Sequence, residues 1–265
     1  MKKNFPTEFV YQVFSLLIAI IVVHAVYVAV IRPDARAFME QEAQAMQADP
    51  SYVPERSLPV VIKDYEQEAC FILMFWAFAI IIYKAVAAFR QRALLDQDLI
   101  SLSEDMRILQ QDTRELSRKI QALPAAVQTF LLPRTLTIAL QRFAATGNIQ
   151  DVSTSVREIS ESEAERMESD LSIIRYIAWA IPSIGFIGTV RGIGDALAQA
   201  HKAVQGDITG VTQSLGVAFN STFIALVISI VLMFFIHQLQ QMQERLVLDT
   251  EYYCDENLIR HLQVP

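Results

Sequence analysis

Residues 208–236 read ITGVTQSLGVAFNSTFIALVISIVLMFFI, and no charged residue interrupts them. Crossing a hydrocarbon layer takes roughly 20 apolar residues in a helix, so this stretch is long enough to span a bilayer. Three others share its character. Phe9–Ile31 carries no charge, and His24 is the one titratable group with a claim to its interior. Ala69–Phe89 is broken only by Lys84, close enough to the end to snorkel. The third lies between Arg175 and Leu197, with Arg191 near its far end. The sequence therefore predicts an all-α integral membrane protein with transmembrane helices at 9–31, 69–89, 173–198 and 208–236 and a helical domain at 90–172.

The composition agrees. The 265 residues are 53% hydrophobic and 19% charged, whereas soluble domains average roughly 45–50% and about 25%. A net charge of −7 with no basic tract leaves a nucleic-acid surface nothing to rest on. Two cysteines, Cys70 and Cys254, make no disulfide framework. Signatures of metalloproteases, P-loop enzymes and serine hydrolases are missing, so neither enzyme chemistry nor a metal or cofactor site is expected.

Lys2 and Lys3 precede the first apolar run, which exceeds the roughly 7–15 residues of a signal-peptide core. An uncleaved signal-anchor helix is expected. Orientation follows the basic residues near span ends. Lys2, Lys3, Lys84, Arg90 and Arg92 lie on one side, and 32–68 is acid-rich, with Asp34, Glu40, Glu42, Asp49, Glu55, Asp64, Glu66 and Glu68. This predicts cytoplasmic termini (1–8 and 237–265, the latter a helix), a cytoplasmic 90–172, and outward-facing loops at 32–68 and 199–207. Arg32, Arg36, Arg56 and Lys63 run against the trend. Cys70 and Cys254 fall on opposite sides and cannot pair.

Leu95, Leu99, Leu102, Met106, Leu109, Thr113, Leu116, Ile120 and Leu123 alternate four and three residues apart, and Pro124 ends the run. The pattern predicts a long amphipathic helix continuing the second span, packed on a helix of its own domain or in a coiled coil with another chain. A second helical stretch, Ala125–Phe143, is expected to break at Pro133, with a turn at Thr146-Gly147-Asn148. A polar helix follows from Asp151, with Ser153 or Thr154 as a cap. Its Arg157, Glu158, Glu161, Glu163, Glu165 and Arg166 read as a solvated face or a partner contact.

The last two spans carry the functional signal. Ala178, Pro182, Gly185, Thr189, Gly192 and Ala196 form one stripe on a helix, and Ser214, Ala218, Ser221 or Thr222, Ala225 and Ser229 form another. Small residues let helices approach closely and hydroxyls bond across the gap, which plain packing explains as readily as a polar pathway. Pro182 adds a freed carbonyl and a bend. No Asp or Glu lies mid-span; Glu68 and Asp195 sit near span ends. A membrane ion pathway usually uses an intramembrane carboxylate, so if this chain conducts, that group is expected from a partner helix, with His24 as the alternative.

Pro182-Ser-Ile-Gly-Phe-Ile-Gly-Thr189-Val-Arg-Gly-Ile resembles the P-x-x-G-L-L-G-T-V-x-G stretch of the MotA/TolQ/ExbB proton-channel family. Leu215-Gly-Val-Ala-Phe-Asn-Ser-Thr222-Phe-Ile-Ala-Leu is similar to that family's last span. The resemblance covers roughly residues 158–235. It implies a bacterial inner-membrane protein whose outward loops 32–68 and 199–207 are periplasmic, a homopentamer around a dimer of a single-span ExbD/TolR/MotB-like protein supplying an intramembrane Asp, with ions passing at the seam of the last two spans to drive rotation. Thr189, Thr222, Ser221 and Pro182 carry over as pathway or gating residues, and Gly185, Gly192, Ala218, Ala225 and Ser229 as seam packing. Asn220 is unusual beside Ser221, and Val217 stands where relatives often carry an acidic residue. The translocated ion is taken as H+, with Na+ fitting the same hydroxyls, and membrane lipid is the other expected contact. Two rival readings are a non-conducting scaffold or signalling protein acting through its cytoplasmic helices, and a small-solute transporter with inverted repeats, which the dissimilar span pairs disfavour.

Overall fold

A computed structural model describes residues 7–48, 57–100 and 107–264. Lys2, Lys3, Asp49, Glu55, Arg56, Leu102 and Met106, on which parts of the sequence reading rest, lie outside the described residues. Helix α1 (Thr7–Val26) passes through a π-helical turn (Tyr27–Ile31) into α2 (Arg32–Ala48). Then come α3 (Leu58–Ile62), α4 (Tyr65–Arg92), α5 (Thr113–Gln121), α6 (Ala125–Gln128), α7 (Leu131–Thr146) and α8 (Ile149–Asp170). The chain ends with α9 (Ser172–Ala198), α10 (Ala200–Val204), α11 (Thr209–Asn257) and a 3-10 turn at Ile259–His261. Among the described residues the only β feature is an isolated bridge between Ile108 and Leu262. Four helical stretches, at 7–46, 65–92, 149–198 and 209–261, are long and apolar enough to cross a membrane.

The chain divides into two compact units, residues 1–81 with 173–236, and 82–172 with 237–265. In the first, many small side chains are buried and many large ones exposed. Ala19, Ala77, Ala178, Ala218 and Ala225 are inside, while Phe14, Ile21, Phe186, Phe219, Phe223, Ile230 and Phe234 point outward. Water would drive the reverse arrangement, whereas lipid tails accept large apolar side chains and helices need small ones to meet. Trp76 Nε1 donates to the Gln12 carbonyl at 2.9 Å and the Tyr11 hydroxyl to the Ala79 carbonyl at 3.2 Å, tying α1 to α4. Phe78 meets Phe235 edge to face at 5.3 Å, tying α4 to α11.

The second unit has the ordinary arrangement. Leu116, Ile120, Leu136, Leu140, Phe143, Val152, Val156, Cys254 and Leu258 form one buried cluster from α5, α7, α8 and the end of α11. Gly147 closes α7 at φ +62°, a left-handed conformation in which glycine carries no Cβ penalty. Asn148 then caps α8 by accepting from the Gln150 N–H at 2.9 Å.

Several expected boundaries are corrected. Residues 32–68 are not simply a loop: α2 is rich in Ala, Glu, Gln and Met, good helix formers that prolong the first span. The π turn is where Pro33 withholds an N–H from the Ala29 carbonyl, and the Arg32 N–H bonds to the Tyr27 carbonyl. The Leu95–Leu123 heptad is not one helix. Helix α4 stops at Arg92, and tight turns follow at Leu94, Leu95 and Gln97. The Tyr253 hydroxyl then takes the Leu99 N–H at 3.0 Å and donates to the Gln97 carbonyl at 3.3 Å, replacing helical partners. Leu95 and Leu99 still pack on the core, but from irregular backbone, while Leu116 and Ile120 reach it from α5. Pro133 does not break a helix; it is the third residue of α7, where its missing N–H has no helical partner anyway. The polar helix starts at Ile149, not Asp151, with Asn148 rather than Ser153 or Thr154 as cap. Glu163 is not solvated: its side chain is 3% exposed, held by Arg134 at 3.0 Å and by Arg166. Residues 199–207 contain α10, and the fourth span and the C-terminal helix are the single helix α11.

Phe143 has no exposed surface and sits in the second unit's core. Phe143→Ala should cost about 3–5 kcal/mol, read as early loss of hydrogen-exchange protection across α7 and α8 of the detergent-solubilised protein.

Candidate functional site

Helices α9 and α11 lie against each other through the small residues. A Cβ on Gly185 would collide with the Ala225 Cβ and lie 3.1 Å from the Ser221 carbonyl oxygen. One on Gly192 would stand 2.7 Å from the Ser214 carbonyl and 2.8 Å from the Ala218 Cβ. Gly194 and Gly216, which face open space, belong to neither contact. Gly188, outside the stripe, is equally tight: its Cβ would meet the Ser221 Oγ at 2.7 Å and the Glu66 Cγ at 3.3 Å. The Gly185-x-x-Gly188 spacing was the available signal for it.

Close approach lets hydroxyls reach main-chain carbonyls. Pro182, half-buried within α9, has no N–H for the Ala178 carbonyl. The Ser229 hydroxyl of α11 donates to that carbonyl at 3.0 Å. Further along, the Thr222 hydroxyl donates to the Gly185 carbonyl at 3.0 Å and the Thr189 hydroxyl to the Ala218 carbonyl at 3.0 Å. The two threonine hydroxyls also touch each other. Each carries one proton and two lone pairs, and together they face two carbonyls and one another. Two protons therefore serve three contacts, one contact is always without a proton, and the chain of bonds can point in either direction. This pair can pass a proton or ligate a small cation by oxygen. It cannot store a proton, because neither hydroxyl ionises near neutral pH.

Ser221 stands slightly apart. It is buried and donates to the Val217 carbonyl at 2.9 Å, while the fully buried Gln67 of α4 reaches its Oγ at 3.5 Å. Gln67 also donates to the Val61 carbonyl at 3.0 Å and accepts the Asp64 N–H at 2.9 Å.

Around Gln67 is a collar of charge that the motif reading missed. Arg191 grips both oxygens of Glu66, at 2.7 and 2.8 Å. Glu68 is shared by Arg32 and by His24, whose Nδ1 lies 2.6 Å away. His24 is thus tied to a carboxylate at the end of its span, away from the threonine pair. Burial pushes the Asp64 carboxyl above its usual range, with Lys63 and Arg191 opposing. The signal available in the sequence was the i, i+2 run Asp64, Glu66, Glu68 at the start of a span, where unpaired carboxylates would be costly.

The profile of the MotA/TolQ/ExbB proton channel family matches residues 127–252. That range takes in α7, α8, α9 and most of α11, and with them both threonines and every small residue of the contact. Over these residues, a little under half of the chain, it matches this family, and with four helices long and apolar enough to cross a membrane it is a membrane protein. The collar residues from α1, α2 and α4 precede the matched range, so the match says nothing of them. Comparison with the curated proteins and with the solved structures finds no match.

Gly185→Val should destabilise the protein by about 1–3 kcal/mol, because the added atoms have nowhere to go. Gly216→Val, facing open space in α11, is the control: only the first should lower the melting temperature in detergent. Asp64 gives a pH signature. The unfolded carboxyl ionises first as pH rises past about 4, while the buried one resists, so native stability falls over that window. Asp64→Asn should flatten this part of the thermal-stability profile.

Proposed function

We propose that the chain is the channel-forming subunit of an ion-driven rotary motor in a bacterial inner membrane, with both termini and the second unit in the cytoplasm. Five copies surround a dimer of a single-span ExbD/TolR/MotB-like protein, and protons move between the α9–α11 seam and that partner's intramembrane Asp. The subunit does this without covalent chemistry of its own. The observation that carries the reading is the Thr189–Thr222 pair: two hydroxyls in contact in mid-span, with no carboxylate on either helix beside them. Such a pair can relay or coordinate an ion but needs a group elsewhere to load and release it. A carboxylate-bearing helix docked against the seam supplies what is missing.

Pro182 and Ser229 have a positional role here. The proline removes one rung of the α9 ladder and the serine restores it from the neighbouring helix, so a bend in α9 is coupled to the placement of α11. Gly185, Gly192, Ala218 and Ala225 set the separation at which the threonines meet. Ser221 lies one residue from Thr222 and answers to Gln67, which puts it between the pathway and the collar.

The test has two arms. Native mass spectrometry of the chain co-expressed with an adjacent single-span, Asp-bearing protein should give five copies holding two partner chains. Proton flux through that complex in liposomes should fall at least tenfold in the Thr189→Val, Thr222→Val double variant, with assembly intact. A pentamer with partners but no flux in either form would instead favour the non-conducting scaffold, whose helices need the same hydroxyl bonds for packing. A monomer or dimer indifferent to the partner sinks the motor reading and leaves the small-residue stripes as ordinary packing.

A further inference from the structure

Beyond the spans, the second unit holds a small groove of about 170 Å³ between α8 and the distal part of α11. Its floor is apolar, made by the buried side chains of Met167, Leu171 and Val247. Glu165 and Glu244 stand exposed at its rim. Glu168 borders it as well, while engaged elsewhere. Gln243 lines the same groove, is only 8% exposed, and its Oε1 is buried without a hydrogen-bond partner among the described residues. Burying an amide oxygen unpaired costs free energy comparable to a lost hydrogen bond. It is the feature that a folded chain on its own does not explain.

We propose that this groove receives one arginine side chain from a protein partner. The volume corresponds to roughly five or six waters, which is the scale of one long side chain and short of the roughly 300–1,000 Å³ of a small-molecule site. Several occupants are excluded by chemistry. An anion meets carboxylates on both sides. A purely apolar group leaves the Gln243 oxygen unsatisfied. A metal ion finds no cluster of three or more ligating side chains among the described residues. A cationic head on an aliphatic stem satisfies everything: the stem covers Met167, Leu171 and Val247, and the head donates to Gln243 Oε1 and to Glu165 and Glu244. Arginine fits better than lysine because its planar fork presents several donors at fixed angles to a carboxylate and an amide oxygen together. The nearby Arg166 does not fill this role, since it is bound to Glu163.

The proposal is independent of ion flux. Its test uses the full chain in phosphatidylcholine nanodiscs with three probes: an acetyl-Ala-Arg-Ala-amide peptide and its citrulline and lysine counterparts, followed by titration calorimetry. The arginine peptide should bind at least tenfold tighter than the citrulline one, with lysine between, and binding should weaken as salt is raised. Gln243→Leu should weaken arginine binding fivefold or more. Glu165→Gln, at an exposed position where folding is not at stake, should do the same, with the melting temperature of the chain unchanged. Equal affinity for arginine and citrulline overturns the proposal, as does arginine preference that survives in the Glu165→Gln, Glu244→Gln double variant. Arginine binding abolished by phosphatidylethanolamine in the nanodisc would assign the groove to a lipid ammonium and overturn it too.

Discussion

A carbonyl in hydrocarbon has no water to turn to, so every rung a membrane helix loses must be replaced by another protein group. Pro182 takes one rung from α9 at Ala178, and Ser229 of α11 replaces it. That single repair demands that two helix backbones approach closely. Close approach demands Gly185, Gly188 and Gly192 on one side and Ala218, Ser221 and Ala225 on the other, since a Cβ at any of the three glycines would collide. Once the helices are this near, Thr189 and Thr222 meet and their hydroxyls reach carbonyls across the gap. The threonine pair is therefore a consequence of the same packing that repairs the proline, and whatever displaces α11 from α9 disturbs both.

The two units show one chain folding in two solvents. In the first, Ala178, Gly185, Ala218 and Ala225 are inside and Phe186, Phe219, Phe223 and Phe234 outside, because lipid gives large side chains no reason to hide. In the second, Leu136, Leu140 and Phe143 are buried and charge is at the surface, as the hydrophobic effect requires. Its one buried acid among the α8 charges, Glu163, is compensated by two guanidinium groups. A buried carboxylate is tolerated only with such pairing.

Sequence made the spans and the seam legible because both are periodic and composition-driven: charge-free runs for the first, small residues at helical spacing for the second. It failed where the deciding interaction is non-local. The heptad positions Leu95, Leu99, Leu116 and Ile120 do reach one core, yet Leu95 and Leu99 sit on irregular backbone because Tyr253, some 150 residues away, bonds to Leu99 and Gln97. Periodicity reports burial, not the hydrogen-bond partner that sets the backbone. The same limit hid the charge collar, since Arg191 and Glu66 are far apart in sequence and only the fold makes them a bidentate pair. It also cast Pro133 as a breaker, when position within a helix's first turn decides whether a proline does harm.

The collar has a physical consequence of its own. Paired charges at the end of a membrane span are held in place more firmly than apolar contacts, because separating either partner strands a charge where water is scarce. Arg191 belongs to α9, Glu66 and Gln67 to α4, and Ser221 to α11. A rotation of α4 about its axis would break the Glu66–Arg191 pair and pull Gln67 from Ser221 together. Arg32 of α2, stacked 4.3 Å from the Tyr65 ring and bonded to Glu68, and His24 of α1, bonded to the same carboxylate, extend the constraint back to the first span. The threonine pair is thus mounted on a frame fixed at one end by charge, while at the Ala178–Ser229 level, toward the other end, a hydroxyl bond joins α9 to α11.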